Sequence, residues 1–513
     1  MNDPVRISPA LILFAVAVLL GTTSLAYPET GLDLPTSIYL GRTILEGGLP
    51  YRDAWEARSP GVFFAYALQL LLLGRGIVAL RVFDLLWQFG TAVVLAHVGT
   101  RVFKKKVVGL IAGIAYLMLY YSQNFWTWAE PDGFLSLSLG LSFLFLLQGL
   151  EEQRLLPWAL AGALTGVAAL FKLPFGLFGI GLLFAATTPE SARIPKIFQR
   201  LLAMAVGFAA PLALCGFYFY LKGGLADLLT TQFLFAPRYV ARVHAVLTYR
   251  HFLESALRPH LFPLYATAVL GLGSLAVSLA REQKVSLAEK ILVVWLGVGV
   301  ATFLIHGSYL AYHYLPLIAP LAVLTANPIH SLAAGFRAKG RHAQVSLIIV
   351  AGLTVLIPLK RLGEHSTYTW RVFAHGRPAD PWRDLGAYIR ERTSPQDTIL
   401  IWGNAPVLYL HADRRAASRF LSTAYLSLPS SGVDYWKIFL TELATNKPRY
   451  FVLVKNGSIT PGLPGSLESF RQFDELKALV QTEYQVEKET ESYAVFRRRE
   501  GRPTTAPVLP HPF

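Results

Sequence analysis

Asp33, Asp53, Glu56 and Arg58 share one polar stretch, residues 28–60, directly behind the first apolar run of the chain. A carboxylate beside a cation at a lipid–water boundary can take a proton from an acceptor hydroxyl or amine, the work of a general base. Asp33, a few residues past the end of the run, is the candidate base. The plainer alternative is a connecting loop that is polar because it is wet. Glu130 and Asp132 follow in TWAEPDGF, where the chain turns back into apolar sequence. Pro131 suits a first helical turn and acids there are favoured by the helix dipole, which accounts for them without any chemistry. Together with Glu56, though, they would supply oxygen ligands for a divalent cation beside a phosphate, a set suited to Mg²⁺, Mn²⁺ or Ca²⁺.

Lys172, in ALFKLPFG, lies between two apolar runs. An ionisable group there reads as functional, here as a phosphate contact, although a lysine at a helix end can also simply snorkel. His306, Tyr309, His313 and Tyr314 cluster in HGSYLAYHYLP; the two histidines share roughly one helix face and could bind phosphate or metal, or belong to a polar–aromatic interface band. Arg238, Arg242, Arg250 and Arg258, in the stretch 221–260, make a basic surface that suits an anionic ligand. In the C-terminal region, residues 402–420 are rich in aromatic and basic groups, without a nucleophile–base pair or a phosphate-cradling glycine loop.

The elements that must position these groups are apolar. Of the 513 residues, 53% are hydrophobic and only 15% charged, against about 25% charged in a soluble domain. A bilayer core takes about 20 apolar residues per helix. Candidate spans fall near 9–27, 77–99, 107–121, 133–149, 157–171, 173–187, 201–220, 261–280, 291–305, 310–326 and 345–358, about eleven. The first is read as a retained signal anchor. Residues 62–73 are apolar but too short to span, and are expected to form an interfacial or re-entrant helix. The single cysteine, Cys215, excludes an intrachain disulfide and a cysteine metal cluster. The net charge of +15 comes from Lys and Arg scattered through short connections, which argues for the positive-inside rule and against a nucleic-acid partner. With a cytoplasmic N-terminus, the connections at 101–106, 151–154, 190–200, 281–290 and 336–342 all lie inside and all carry Lys or Arg. The stretches 28–60, 121–132, 221–260 and 306–309, and everything beyond about residue 359, then lie outside. Residues 1–359 form the expected membrane domain. Residues 360–500 read as a small extracytoplasmic α/β domain, with a helix at 381–391, strands at 397–403, 448–455 and 492–499 and a helix at 470–480. Residues 501–513 read as a disordered Pro-rich tail.

The first polar stretch resembles that of the GT-C superfamily of membrane glycosyltransferases, among them the family 39-like protein O-mannosyltransferases and lipid A aminoarabinose transferases. The matching residues are Asp33, Tyr39, the run from Ile44 through Glu46, Gly47, Pro50, Tyr51 and Arg52 to Asp53, and Glu56-Ala57-Arg58-Ser59-Pro60. EPD at 130–132, FKLP at 171–174 and HYLP at 313–316 match in order. Leu34-Pro35 replaces an acidic–glycine pair and Arg58-Ser59 a Lys-Pro pair, and Arg and Lys are not interchangeable. The resemblance implies a GT-C fold with Asp33 as catalytic base and Glu56 as the equivalent of an aspartate. It makes Arg58 the phosphate contact, with Lys172 and His313 beside it. Asp53, Tyr39, Arg238 and Tyr314 remain as acceptor or loop contacts. The implied activity is transfer of a sugar from a polyprenyl-phosphate donor to a lipid, glycan or protein acceptor at the outer face of the inner membrane, with inversion. A transporter or flippase of lipid-linked saccharides is the alternative, and a non-catalytic assembly subunit a third.

Overall fold

The computed structural model describes residues 8–27, 33–152, 154–187, 194–246, 249–307, 309–335, 341–427, 434–455 and 465–500. The expected tail at 501–513 lies outside them.

Each stretch expected to span the membrane lies in helical structure. Among the described residues, seven helices are long and apolar enough to cross a bilayer: Pro9–Ala26, Ile77–Phe103, Pro131–Glu152, Ile194–Leu221, Pro259–Ala280, Leu287–His306 and Ala311–Leu332. Lys106–Tyr121, Leu155–Phe171 and Leu173–Thr187 are apolar but shorter. The last begins as a 3₁₀ turn, Leu173–Phe178, with Pro174 near its start, and turns α-helical only from Gly179. A further helix, Arg341–His375, runs unbroken across residue 360, where the composition changes.

The polar stretch behind the first span is more ordered than a loop. It contains a helix, Asp33–Leu45, that buries Leu34, Ser37, Ile38, Leu40 and Gly41. Pro35 falls in its first turn, where a missing N–H costs nothing. A second helix, Pro60–Leu73, starts on a proline and stops at Gly74, whose φ of 76° only glycine adopts cheaply. The two helices touch backbone to backbone at Gly41, where a Cβ would stand 2.7 Å from the Ala67 nitrogen.

The C-terminal region carries a five-stranded sheet in the order β2-β1-β3-β5-β4, from β1 (Thr398–Trp402), β2 (Arg415–Ala416), β3 (Tyr450–Val454), β4 (Tyr484–Glu489) and β5 (Tyr493–Arg498). β1 runs parallel to β2 and β3, pairing Ile399 with Tyr450 and Trp402 with Leu453; β5 is antiparallel to β3 and β4. Every residue of β3 is buried, as expected of a central strand covered on both faces. Helix Pro381–Glu391 is capped by Asp380, whose side chain accepts from the Trp382 and Arg383 amides. The helix expected at 470–480 is two, Ser466–Gln472 and Asp474–Glu483, parted at Phe473, whose backbone is extended.

This sheet region docks on the first polar stretch. The Trp55 amide donates to the Arg419 carbonyl (2.7 Å), the Ala416 amide to the Tyr39 hydroxyl (2.9 Å), and Arg42 pairs with Asp413 (2.6 Å).

Candidate active site

Arg58 is the hub. The preceding turns hold its backbone, and its carbonyl accepts from the Tyr51 hydroxyl (2.7 Å) and the Gln232 side-chain amide (3.0 Å). Its guanidinium forms an ion pair with Asp33 Oδ2, lies 3.8 Å from Glu130 Oε2, and donates to Ser37 Oγ at 3.3 Å. The Tyr312 hydroxyl donates to the same Asp33 Oδ2. Three chain segments, 33–58, 128–130 and 309–314, therefore meet at one carboxylate–guanidinium pair that keeps about a fifth of its side-chain surface open (22% and 19%).

A second pair stands beside it. Asp132, in the first turn of Pro131–Glu152, accepts from Lys172 Nζ at 2.6 Å. Lys172 is the first residue beyond Leu155–Phe171, in extended backbone. The start of Pro60–Leu73 abuts this same helix end. A Cβ on Gly61 would sit 2.7 Å from the Leu170 backbone, and this close approach carries Arg58 toward Lys172. His313 stacks on His306 with ring centroids 4.2 Å apart, and lies within electrostatic reach of Lys172 and Arg58.

The charges balance by protonation as well as by pairing. Glu56 is buried; desolvation raises its carboxyl, Arg58 lowers it and Asp33 raises it again, leaving it pushed up to about 7. Its Oε1 accepts from the Ala57 amide (2.9 Å) and the Tyr425 hydroxyl (3.1 Å). Glu130, 1% exposed, is pushed well up, first by burial. Asp33 and Asp132 each face a cation, while Glu56 is pushed up to about 7 and Glu130 well up toward its neutral form. A site so arranged does not carry four fixed negative charges.

The carboxylates proposed for a divalent cation do not form a cage. Asp132 is engaged by Lys172, Glu56 by Ala57 and Tyr425, and Glu130 faces Arg58. Among the described residues, no three His, Cys, Asp or Glu side chains converge as a metal set. Other expected contacts fall elsewhere. Asp53 pairs with its neighbour Arg52 (3.0 Å) and caps the Leu49 amide (2.7 Å), fixing its own turn. Tyr39 is buried against Tyr409 and serves the docking of the sheet region. Tyr314 packs on Phe303, with its hydroxyl 3.4 Å from Ser255. Arg238 is exposed, on helix Ala236–Val246. Residues that sequence reasoning passed over are Ser37, Tyr312, Gln232 and Tyr425. Gln232 hides within the largely apolar LLTTQFLF and Tyr312 within an aromatic band, so nothing in the local pattern marks either.

A family model described as dolichyl-phosphate-mannose-protein mannosyltransferase matches residues 57–219. That stretch holds Arg58, Glu130, Asp132 and Lys172. Among solved structures, ArnT from Cupriavidus metallidurans bound to undecaprenyl phosphate is similar with a TM-score of 0.61 at 14% identity, over 95% of this chain and 97% of that one. The same protein in its apo state gives 0.57 at 12% identity over the same shares. The archaeal oligosaccharyltransferase AglB from Archaeoglobus fulgidus, in complex with an inhibitory peptide and a dolichol-phosphate, gives 0.50 at 13% identity, over 86% of this chain and 69% of that one. No curated protein sequence matches significantly. Spans, sheet region and likenesses together give a multi-pass membrane protein with the fold that the ArnT and AglB structures share.

Proposed function

We propose that the protein transfers a sugar from a polyprenyl-phosphate donor to an acceptor at the outer face of the inner membrane, with inversion and with Asp33 as general base. The observation that carries this reading is the shared Asp33–Arg58 pair, with Lys172 and Asp132 beside it, at the ends of apolar helices. Two further facts support it. Residues 33, 58 and 130, which charge bias assigns to the outer side, gather at this site with Lys172 and His313. The similar ArnT and AglB structures hold undecaprenyl phosphate and dolichol-phosphate.

In this reading the donor phosphate competes with Asp33 for Arg58. A guanidinium fork suits phosphate as well as carboxylate, so donor entry draws Arg58 away and frees the base. Both contacts to Asp33 fall on Oδ2, which leaves Oδ1 to take the proton. As that proton leaves the acceptor, the acceptor oxygen or nitrogen bonds to the anomeric carbon. The bond from that carbon to the phosphate oxygen breaks, and its electron pair stays on the departing polyprenyl phosphate. Arg58 and Lys172 stabilise the charge that develops there, and His313 lies close enough to add a hydrogen bond. The acceptor is a lipid, a glycan or a protein.

The test is sugar transfer by the purified protein in detergent, from a panel of radiolabelled polyprenyl-phosphate sugars to membrane extracts. Transfer from one donor class supports the reading. Donor binding with no transfer from any member of the panel overturns it in favour of a carrier of lipid-linked saccharides.

A further inference from the structure

Two charged residues lie inside a membrane-spanning helix where no charge is needed for spanning. Arg81 and Asp84, on Ile77–Phe103, are 1% and 0% exposed. Ionisable groups buried in a spanning helix are costly and are kept for a task. Here their contacts lead to one place. Arg81 Nη1 donates to the Trp128 carbonyl at 2.9 Å. Asp84 Oδ1 accepts from the Tyr120 hydroxyl at 2.8 Å and from Gln88 at 2.9 Å. That Tyr120 hydroxyl in turn accepts from the Ala129 amide at 3.1 Å. From the other side, the Tyr66 hydroxyl donates to the Ala129 carbonyl. Gln88 is itself tied to Tyr116 at 2.6 Å.

The residue so enclosed is strained. Ala129 has φ of 63°, a left-handed conformation that a side chain other than glycine seldom adopts and that persists only where its surroundings impose it. The next residue is Glu130, whose carboxyl faces Arg58. Resting on the reading of the site as the place of transfer, we propose that Arg81, Asp84 and Tyr120 are positioning residues that clamp the 128–130 turn and so set Glu130 against Arg58. The network acts from behind the 128–130 turn on a group at the reacting site and touches no substrate.

The test uses the full-length protein in detergent with two readouts. Hydrogen exchange reports the peptide covering residues 124–133. Transfer rates are compared for Asp84→Asn, Glu130→Gln and the double variant. The expected result is faster exchange in that peptide for Asp84→Asn but not for Glu130→Gln. Transfer should fall on the order of 10- to 100-fold for Asp84→Asn, the scale of a misplaced group, with no further loss when it is added to Glu130→Gln. Unchanged exchange, or losses that multiply in the double variant, would overturn the proposal. Tyr120→Phe removes a single hydroxyl and must give the same pattern, so a poorly folding Asp84→Asn does not spare the idea. Should the wild type transfer no sugar, the proposed function fails, and the exchange readout alone decides the clamp.

Discussion

Asp33, Arg58 and Tyr312 meet at one carboxylate oxygen, and the acids around them differ in how they carry charge. Glu56 is the informative one, because burial beside Asp33 leaves its carboxyl at about 7 even with Arg58 nearby. Below that pH it is neutral; above it a negative charge appears where a phosphate is expected to dock. Donor affinity should therefore fall as pH rises through about 7, by no more than about tenfold per pH unit since one proton is linked. In Glu56→Gln the affinity should stay flat over the same range. Isothermal titration of the polyprenyl-phosphate donor between pH 6 and pH 8 checks both, and an unchanged slope in the variant would remove Glu56 from the donor's surroundings. At this scale the sequence was readable as an inventory and not as a set of pairs. Asp33, Glu56, Arg58, Glu130, Asp132 and Lys172 all announced themselves as charges at the ends of apolar runs. Which anion faces which cation depends on helix ends brought together across long stretches of chain, and no local spacing encodes that.

Helix Asp33–Leu45 positions the base, and its fit on Pro60–Leu73 depends on the missing side chain of Gly41. Alanine is the better helix former, but here its methyl would meet the backbone of Tyr66 and Ala67 at 2.7–2.8 Å. Gly41→Ala should cost about 1–3 kcal/mol as overpacking and lower both the thermal midpoint in detergent and the transfer rate. A raised midpoint would show that the two helices part without penalty. This helix was read as part of a loop because Pro35, Gly41 and the polar residues between apolar positions break up the apolar signal. The strand β4 escaped for a related reason. Tyr484–Glu489 reads YQVEKE, a mostly exposed edge strand in which charge serves to discourage stray pairing. The long spans were legible because a bilayer demands unbroken apolar length, and the buried strands because β1, β3 and β5 are apolar runs bounded by turns. Arg81 and Asp84 stayed hidden for the converse reason, being single charges inside a run that still reads as a span.

Across the whole molecule, the C-terminal region reaches the candidate site. Tyr425 reaches Glu56, and Trp55 sits among Phe235, Phe420, Tyr425 and Tyr435 from three parts of the chain. The Tyr425 hydroxyl favours the ionised Glu56, so Tyr425→Phe should move the pH midpoint of donor binding upward. A midpoint that stays put would make the sheet region a neighbour only. The helical spans and the C-terminal sheet region were foreseeable from hydropathy and the change in composition near residue 360, while the docking of the sheet on the first polar stretch was not. It rests on contacts such as Tyr39 to Ala416 and Arg42 to Asp413, more than 350 residues apart in sequence. The account stands or falls on Asp33. The most direct measurement is the initial rate of sugar transfer by purified Asp33→Asn against wild type at saturating donor, with donor binding measured on the same preparations. Loss of a general base predicts a fall of about 10²- to 10⁴-fold with binding retained. A variant that transfers sugar at the wild-type rate would contradict it.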